Sequence, residues 1–476
     1  MSPADGRAAH FHELDRRAIV LTMAAVLVAI FMGSLDSTIV ATALPAIVRA
    51  LHGFSSYSGV ISAYLITSTV ALPISGKLSD VYGRKRLLSI GVLWFTAASL
   101  LCGAAQSMAQ LILFRALQGL GAGVMQAAAN TTIADLYPPA RRGHAIGLLS
   151  STSVLANIIG PVLGGFLADG PGWRYVFLIN LPVGLAGVLM VLRYFPHLHR
   201  HTPKDFTIDY AGALCMTAGV VPILLALHRI GENGRADRTA LALLSLGAIF
   251  IGLFLVIERR AQHPIVPLQV FKNPIIAISL LNTGLSMAAI IAVTLFTPLF
   301  LQSVLHLSAQ KSGIILLPLS LTFAVFATAT GHLVGRIGRY RDLALAGTAV
   351  AIAGGLLLAQ LDSGTAPLHL LLTAMVVAFG CAVCMPIYNI AVQNAAALNA
   401  LGTTTSMVYF MRLMAASVGV AVYGCILASQ APLHGLASAL SDVFYLATAL
   451  LAVIFVSTLF LREIPLRRTN RQEPAS

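Results

Sequence analysis

Two charged residues lie inside otherwise apolar stretches of this 476-residue sequence. Asp36 is at the centre of the run FMGSLDSTIVATALPAI, residues 31–47, and Arg115 lies several residues into a later apolar run. An ionisable residue within a membrane span costs about 2.5–3.5 kcal/mol on insertion scales, so each is a candidate for function. Burial disfavours the charged form of a carboxyl group and a nearby cation favours it, so Asp36 could load and release a proton. Arginine rarely deprotonates, so Arg115 could only adjust the proton affinity of a neighbouring carboxylate.

Both residues also have structural interpretations. Asp36 could form a hydrogen bond to a neighbouring helix, and Arg115 could extend along its helix to the outer interface. Arg412, in YFMRLMAASVGVAVYG, is another cation within an apolar run, and a role in transport or in a buried pair remains open.

Further polar side chains suggest the wall of a substrate cavity. Gln118, Gln126 and Asn130 follow Arg115 on roughly one face of the same predicted helix. Hydrogen bonding between helices is the alternative, because polar residues commonly supply it in membranes. Scattered polar or aromatic residues in other runs are also candidates for the cavity, among them Tyr64, Asn389 and Arg412.

The composition indicates which elements must position these residues. The chain is 58% hydrophobic and only 10% charged, whereas soluble domains carry about 25% charged residues. Apolar blocks near twenty residues, the length that crosses a bilayer core of ~30 Å, recur along the chain. The ~10-residue alternating segments of membrane barrels are not visible. We predict an all-α polytopic membrane protein with fourteen spans, near 18–48, 57–76, 86–106, 108–131, 142–168, 173–194, 207–228, 239–258, 274–302, 311–335, 341–361, 366–394, 402–430 and 440–462.

The distribution of lysine and arginine predicts the orientation. Twenty-two of the 30 fall on the side of the N-terminus and six on the other side, which fits the positive-inside rule with both termini cytoplasmic. Topology thus explains the net charge of +13, and no nucleic-acid patch is needed. The predicted order is an N-terminal tail (1–17), a six-helix bundle (18–195), cytoplasmic loops with two extra helices (196–272), a second six-helix bundle (273–462) and a C-terminal tail (463–476).

A faint internal repeat relates the two predicted bundles. GKLSDVYGRKR (76–86) and GHLVGRIGRYR (331–341) share five of eleven residues. Repeated halves are a transporter architecture, with the substrate site at their interface. In the first copy we expect Gly76 to end a helix, Asp80 to accept backbone N–H groups, Gly83 to permit a bend and Arg84 to anchor the cytoplasmic face. A simple basic loop is the alternative.

Four segments together resemble the motifs of one transporter family. Residues 76–86 resemble the signature loop of the major facilitator superfamily. LDSTIVATALPAI (35–47), RALQGLGAGVMQ (115–126) and GPVLGGFLADGPGWRYVFLINLPVG (160–184) resemble the first-, fourth- and fifth-span motifs of its fourteen-span drug:proton antiporters. The resemblance covers essentially the whole chain.

The resemblance implies a fold and a set of roles. The fold would be two pseudo-symmetric six-helix bundles with two extra helices between them. Asp36 and Arg115 would couple transport to protons. The cytoplasmic gate loop would contain Gly76, Asp80, Gly83 and Arg84, and the antiporter motif would contain Gly160, Pro161, Gly164 and Gly165. By composition alone, GPVLGG is typical of a bent helix in close contact with a neighbour.

The expected function is proton-coupled efflux of drugs or other lipophilic compounds across the bacterial inner membrane by alternating access. An exporter of one native metabolite is the alternative, because the same fold serves it. An enzyme is disfavoured, since the spans offer one carboxylate, no obvious histidine partner and no metal cluster. We expect no cofactor, because the sequence lacks a Gly-rich phosphate loop and the proton gradient would supply the energy. The expected partners of the monomer are a small-molecule substrate, protons and lipid, and the short exterior loops neither demand nor exclude a periplasmic adaptor and an outer-membrane channel.

Overall fold

A computed structural model describes residues 16–136, 139–196, 209–233, 236–261, 266, 268–338, 340–396 and 401–465. These residues are predominantly helical, and no strand occurs among them. The long helices are α1 (Arg16–Ala50), α2 (Tyr57–Tyr82), α3 (Arg84–Ala104), α4 (Met108–Leu136), α5 (Pro139–Leu167), α6 (Tyr175–Tyr194, interrupted at Ile179), α7 (Tyr210–Asn233), α8 (Arg238–Arg260), α9 (Pro274–Leu299), α10 (Ala309–Ile337), α11 (Arg341–Leu358), α12 (Pro367–Ala395), α13 (Leu401–His434) and α14 (Leu436–Leu459). The prediction of an all-α polytopic membrane protein is confirmed.

Thirteen of these helices are long and apolar enough to cross a membrane, judged on the described residues. The exception is α7, whose strongly apolar part, Ala211–Leu227, falls short of the others. At about 1.5 Å per residue this part extends roughly 26 Å, slightly less than the ~30 Å core of a bilayer. The seventh predicted span is therefore present as a helix. Its apolar part is shorter than predicted, because the last turns of the helix contain polar residues.

The helices form two halves with the same internal packing. In the first half α1 packs on α5 and α6, α4 packs on α2 and α3, and α3 packs on α6. The second half repeats each of these pairs, with α9 on α13 and α14, α12 on α10 and α11, and α11 on α14. The helices α7 and α8 pair with each other, and α7 packs against α13. The arrangement is the predicted one, and the exact limits of the domains stay predictions because 197–208 and 262–265 lie outside the described residues.

The connection between α2 and α3 differs from the prediction. Gly76 does not end a helix, because α2 continues past it to Tyr82. The residue between the two helices is Gly83, which has φ +88° and ψ 144°, a conformation that residues with a Cβ rarely adopt. Arg84 begins α3 and is buried, whereas the Asp80 side chain lies outside the described part of the chain. The role of this loop as a cytoplasmic gate stays a prediction.

We expect Gly83→Ala to destabilise the protein by roughly 1–3 kcal/mol, the usual cost of a non-glycine residue in so sparsely populated a backbone conformation. Gly76→Ala is the matched control. A Cβ at Gly76 would meet nothing within 4 Å, so this change inside a helix should stabilise by roughly 0.5–1 kcal/mol. Thermal unfolding of the purified variants in detergent measures both. Equal melting temperatures for the two variants would contradict the assignment of backbone strain to Gly83.

Candidate functional site

Asp36 of α1 and Arg115 of α4 form an ion pair in the interior of the first half. Arg115 Nη1 lies 2.5 Å from Asp36 Oδ2, and both side chains are fully buried. The guanidinium carbon lies 4.2 Å from the centre of the Tyr64 ring, and Nε donates to the carbonyl oxygen of Val60 at 3.4 Å. The alternative in which Arg115 extends to the outer interface is therefore wrong, because α2 covers its side chain.

Amide side chains surround the other oxygen of the Asp36 carboxylate. Gln118 Nε2 and Asn180 Nδ2 donate to Asp36 Oδ1 at 2.9 and 2.8 Å. Gln118 Oε1 in turn accepts from Arg115 Nη1 at 2.6 Å, and Ser99 Oγ accepts from Gln118 at 2.7 Å. We call these five residues the Asp36 cluster. Buried charges are tolerated when they are paired and hydrogen-bonded in this way.

The Asp36 cluster also contains hydrogen-bonding atoms that are not used. Arg115 Nη2 and Asn180 Oδ1 are buried and have no hydrogen-bond partner among the described residues. One of these atoms is a donor and the other an acceptor. The cluster can therefore form further hydrogen bonds if the charge or the orientation of its members changes.

Glycines in α4 bring the cluster together. A Cβ at Gly119 would overlap the Tyr64 carbonyl of α2, and a Cβ at Gly121 would overlap the backbone of Phe95 in α3. Small residues allow helix backbones to approach closely in membranes. The close contacts place the α4 side chains Arg115 and Gln118 within reach of polar groups on neighbouring helices.

The structure separates the predicted cavity residues into two groups. Gln118 and Tyr64 are not in a cavity wall, because both are buried against Arg115. Gln126 and Asn130 lie further along α4, are half-buried, and bond to each other at 3.3 Å. In α12, Asn389 is likewise half-buried and accepts from Gln393 at 3.4 Å. Arg412 of α13 is half-buried, with its guanidinium carbon 5.8 Å from the centre of the Tyr409 ring.

Ser99 and Asn180 are members of the cluster that the sequence did not assign to the site. Each is a polar residue within an apolar span, which is the signal that could have identified them. The signal is weak, because such residues most often connect neighbouring helices. Their common orientation towards Asp36 depends on how α3 and α6 pack around α1.

Comparison with known proteins establishes the family. The profile of the Major Facilitator Superfamily matches residues 26–420. The chain belongs to the Major Facilitator Superfamily. It is 36% identical over 415 residues to the multidrug transporter protein MdtP of Bacillus subtilis (strain 168), covering 87% of this chain and 76% of that protein. It is 33% identical over 408 residues to multidrug resistance protein 3 of the same strain, covering 84% and 78%.

A solved structure supports the fold independently. The crystal structure of a bacterial homologue of the human lysosomal transporter Spinster aligns with a TM-score of 0.66 at 16% sequence identity, covering 95% of this chain and 100% of that one. At this identity the likeness concerns the fold alone. The predicted resemblance to the Major Facilitator Superfamily is confirmed, and the chain is a multi-pass membrane transporter.

In this member of the superfamily, the antiporter-motif residues of α5 lie between α1 and the second half. A Cβ at Gly160 would overlap the Thr38 side chain of α1, and a Cβ at Gly164 would overlap the Ile39 backbone. On the other side, Gly165 adjoins the backbone of Ala309 at the start of α10. The carbonyl of Pro161 faces Gly313, also in α10. The motif therefore packs α5 against α1 and α10 together.

The two halves of the transporter meet on one face of the membrane. We call the face at which α1 begins the N-terminal face and the other the opposite face. Towards the opposite face, Tyr57 Oη donates to the Leu295 carbonyl at 3.1 Å, and Gln302 Nε2 donates to the Thr42 carbonyl at 2.8 Å. Asp169 accepts from the backbone of Gln310 at 2.6 Å. With the α5–α10 contacts, these interactions form what we call the opposite-face seal.

Nearer the N-terminal face, a cleft of about 650 Å³ lies between α5 and α10. Its walls include Val154 and Ile158 of α5, and Leu321, Val325 and His332 of α10. The same two helices that touch at the opposite face are thus separated here. The contacts of the opposite-face seal and this cleft therefore lie at different depths along the same pair of helices.

We expect Arg115→Leu to destabilise the transporter by about 3–5 kcal/mol, because it leaves the Asp36 carboxylate buried without a cation. Adding Asp36→Asn should restore much of the stability, since the uncompensated charge is removed. Arg229→Leu is the control. It breaks an exposed pair with Asp237, at 2.8 Å, and should cost under about 1 kcal/mol. Thermal unfolding of the wild type, the single variants Arg115→Leu and Asp36→Asn, and the double variant forms a double-mutant cycle, and equal losses in Arg115→Leu and Arg229→Leu would contradict the buried pair.

Proposed function

We propose that the chain exports drug-like or other lipophilic compounds in exchange for protons, by alternating access across the bacterial inner membrane. The observation that carries this proposal is the fully buried Asp36–Arg115 pair in the first half. The names of the relatives, a multidrug transporter and a multidrug resistance protein, support the substrate class. Both termini and the N-terminal face would be cytoplasmic, as the charge distribution predicts.

Protonation of Asp36 would change the cluster in a defined way. A neutral carboxyl no longer attracts Arg115, and its new O–H needs an acceptor. Asn180 Oδ1 has no donor among the described residues, so a rotation of this amide would provide the acceptor. Protonation therefore replaces the ion pair by hydrogen bonds to a neutral carboxyl group and leaves the Arg115 cation without its counter-charge, which favours movement of Arg115.

The helix α1 links this event to the opposite-face seal. Asp36 lies six residues before Thr42, about 9 Å along a helix axis. Thr42 accepts a hydrogen bond from Gln302 of the second half, and Ile39 lies between the two under Gly164 of α5. A shift of α1 when Asp36 gains or loses its proton would thus act on both contacts. In proton-driven export Asp36 would take up the proton from the opposite face while the seal is open, and protonation would favour closure of the seal. The proton would then leave on the N-terminal face, which restores the ion pair with Arg115.

The proton gradient has enough energy for this cycle. A potential of 100 mV corresponds to ~2.3 kcal/mol per charge, and one pH unit adds ~1.4 kcal/mol. Together they could maintain a substrate gradient of several hundredfold for one proton per neutral molecule. The proposal requires neither a bound cofactor nor chemical conversion of the substrate, and a monomer suffices for it.

One observation favours the alternative of a specific metabolite. Each half presents a pair of half-buried amides, Gln126 with Asn130 in α4 and Asn389 with Gln393 in α12. Converging polar groups are what a specific polar substrate requires, whereas a drug cavity is mainly apolar. The cleft between α5 and α10 is lined mostly by apolar residues, which favours lipophilic compounds.

The experiment uses the purified protein in liposomes that have an acidic lumen and contain a pH-sensitive dye. A panel of neutral, cationic and anionic drug-like compounds is added outside. Uptake in exchange for protons should raise the lumenal pH, and collapse of the gradient by a protonophore should abolish accumulation. Empty liposomes correct for passive entry. Accumulation that persists without any gradient, or uptake without proton release, would contradict proton antiport.

A further inference from the structure

The helix α13 carries a cation for which the described residues provide no carboxylate. Arg412 lies eleven residues after the start of α13, roughly 17 Å along its axis. Its Nε has no hydrogen-bond partner among the described residues, and no ion pair joins it to a described acid. The recorded neighbour of its guanidinium is the ring of Tyr409, one turn away in the same helix. An ionisable group within a span is expected to have a partner or a function.

The contacts of α13 show which way Arg412 faces. Met411 and Ala415 adjoin Gly284 of α9. Ser417 lies 3.5 Å from Thr69 of α2. With 3.6 residues per turn, Arg412 projects between the side that contacts α9 and the side that contacts α2. Tyr423, on the same side of α13 as Arg412, donates to the Ala288 carbonyl of α9 at 3.0 Å, so this side of α13 adjoins α9 as well as the space between the two halves.

The opposite side of α13 is apolar. Met407 belongs to a cluster of buried apolar residues that includes Met216 and Val220 of α7, and Phe410 and Met414 pack against this cluster. These three α13 residues lie on the side turned away from Arg412. The guanidinium is thus directed away from the extra helices and towards the interior.

No free carboxylate opposes Arg412 in the described part of the membrane interior. Among the acidic side chains that the structure describes, only Asp36 lies at the centre of a span, and the others lie within about two turns of a helix end. Asp36 is fully buried and neutralised by Arg115. Since this pair carries no net charge, the charge that remains at the centre of the described structure is the positive charge of Arg412. Such a centre attracts anions and repels cations.

The amide pairs supply neutral donors at a similar depth. Gln126 lies ten residues before the end of α4 and Asn389 six residues before the end of α12, about 15 and 9 Å from those helix ends. Both of these helix ends lie on the N-terminal face. The distance of Arg412 from the start of α13 is measured from the same face. Each amide nitrogen has two N–H donors, and each pair uses one donor on its own partner. The remaining N–H groups can bind oxygen atoms of an acidic substrate.

We propose that the substrates are amphiphilic organic anions, whose carboxylate or similar acidic group binds Arg412 while the apolar body lies against the apolar walls between the halves. This inference rests on the proposed export function and narrows it, because lipophilic cations are disfavoured. It has a consequence for the driving force. Exchange of an exported monoanion for one proton moves two charges across the membrane, so a membrane potential acts on the exchange twice.

The experiment compares three fluorescent probes that share one apolar body and end in a carboxylate, a methyl ester or a trimethylammonium group. Binding to purified protein in detergent is followed by fluorescence anisotropy. Wild type should bind the carboxylate at least tenfold more tightly than the ester or the cation. Arg412→Gln should abolish this preference while changing the ester affinity less than twofold, and Arg412→Lys should retain part of it. Arg229→Gln, at an exposed site, controls for loss of one arginine and should bind all three probes as wild type does.

Equal affinities in wild type, a preference for the cation, or equal weakening of all three probes by Arg412→Gln would overturn the anion site. The wild-type comparison decides the matter even if Arg412→Gln does not fold. The same probes in acid-lumen liposomes test the export function separately. A carboxylate preference in binding without proton release would support the anion site and contradict proton antiport. Proton-coupled uptake of ester and cation with no preference for the acid would contradict the anion site alone.

Discussion

Asp36→Asn should abolish proton-driven accumulation while the protein still folds and inserts. The amide has nearly the same shape as the carboxyl group and can keep contacts to Gln118 and Asn180, but it cannot take up a proton. Accumulation should fall from as much as several hundredfold to about onefold, because the variant cannot use the ~2.3 kcal/mol per 100 mV and ~1.4 kcal/mol per pH unit of the gradient. Lumenal pH and substrate content of acid-lumen liposomes are measured together.

Two controls separate coupling from damage. Asp442→Asn makes the same chemical change at an exposed position in α14 and should leave transport unchanged. Exchange of labelled for unlabelled substrate without a gradient should persist in Asp36→Asn, because such exchange requires no net movement of protons. Proton release by Asp36→Asn at the wild-type rate would remove Asp36 from the coupling mechanism.

Gly165→Val should prevent closure of the opposite-face seal. A side chain at this position overlaps the backbone of Ala309, and such overpacking costs about 1–3 kcal/mol. A bias of this size shifts a two-state equilibrium by roughly 5–150-fold, towards the state that is open on the opposite face. We expect the transport rate to fall by at least the same factor as the equilibrium shifts. The proton leak in the absence of substrate should increase. The population can be followed with a cysteine introduced at Thr42, whose labelling by an impermeant maleimide from the opposite face should accelerate.

The matched control is Gly252→Val in α8. It introduces the same β-branched residue into a helix, but a Cβ there meets nothing within 4 Å. Its transport, proton leak and Thr42→Cys labelling should equal those of the wild-type background. If Gly165→Val matched Gly252→Val in all three measurements, the α5–α10 contact would have no part in closing the opposite face.

The positions of the long helices were predictable from the sequence because a bilayer leaves few options. An apolar block near twenty residues must satisfy its backbone hydrogen bonds internally, and a helix does this. The exact residues at which helices end were less predictable. Gly76 was expected to end α2, yet the helix continues to Tyr82, and Gly83 is the residue with the positive φ. Either glycine could occupy such a position, and only the packing of α2 and α3 selects one of them.

The sequence by itself determined that this is a helical membrane transporter of the major facilitator type and that Asp36, Arg115 and Arg412 are charged residues within its spans. Composition, the cost of a charge in a span and the four motifs suffice for that. Only the tertiary structure decided which residues meet. It joined Asp36, Arg115, Gln118, Asn180 and Ser99 from four helices, and it left Arg412 without a carboxylate among the described residues. Residues far apart in the chain can be joined only when the rotation and depth of each helix are set, and close packing against the neighbouring helices sets both.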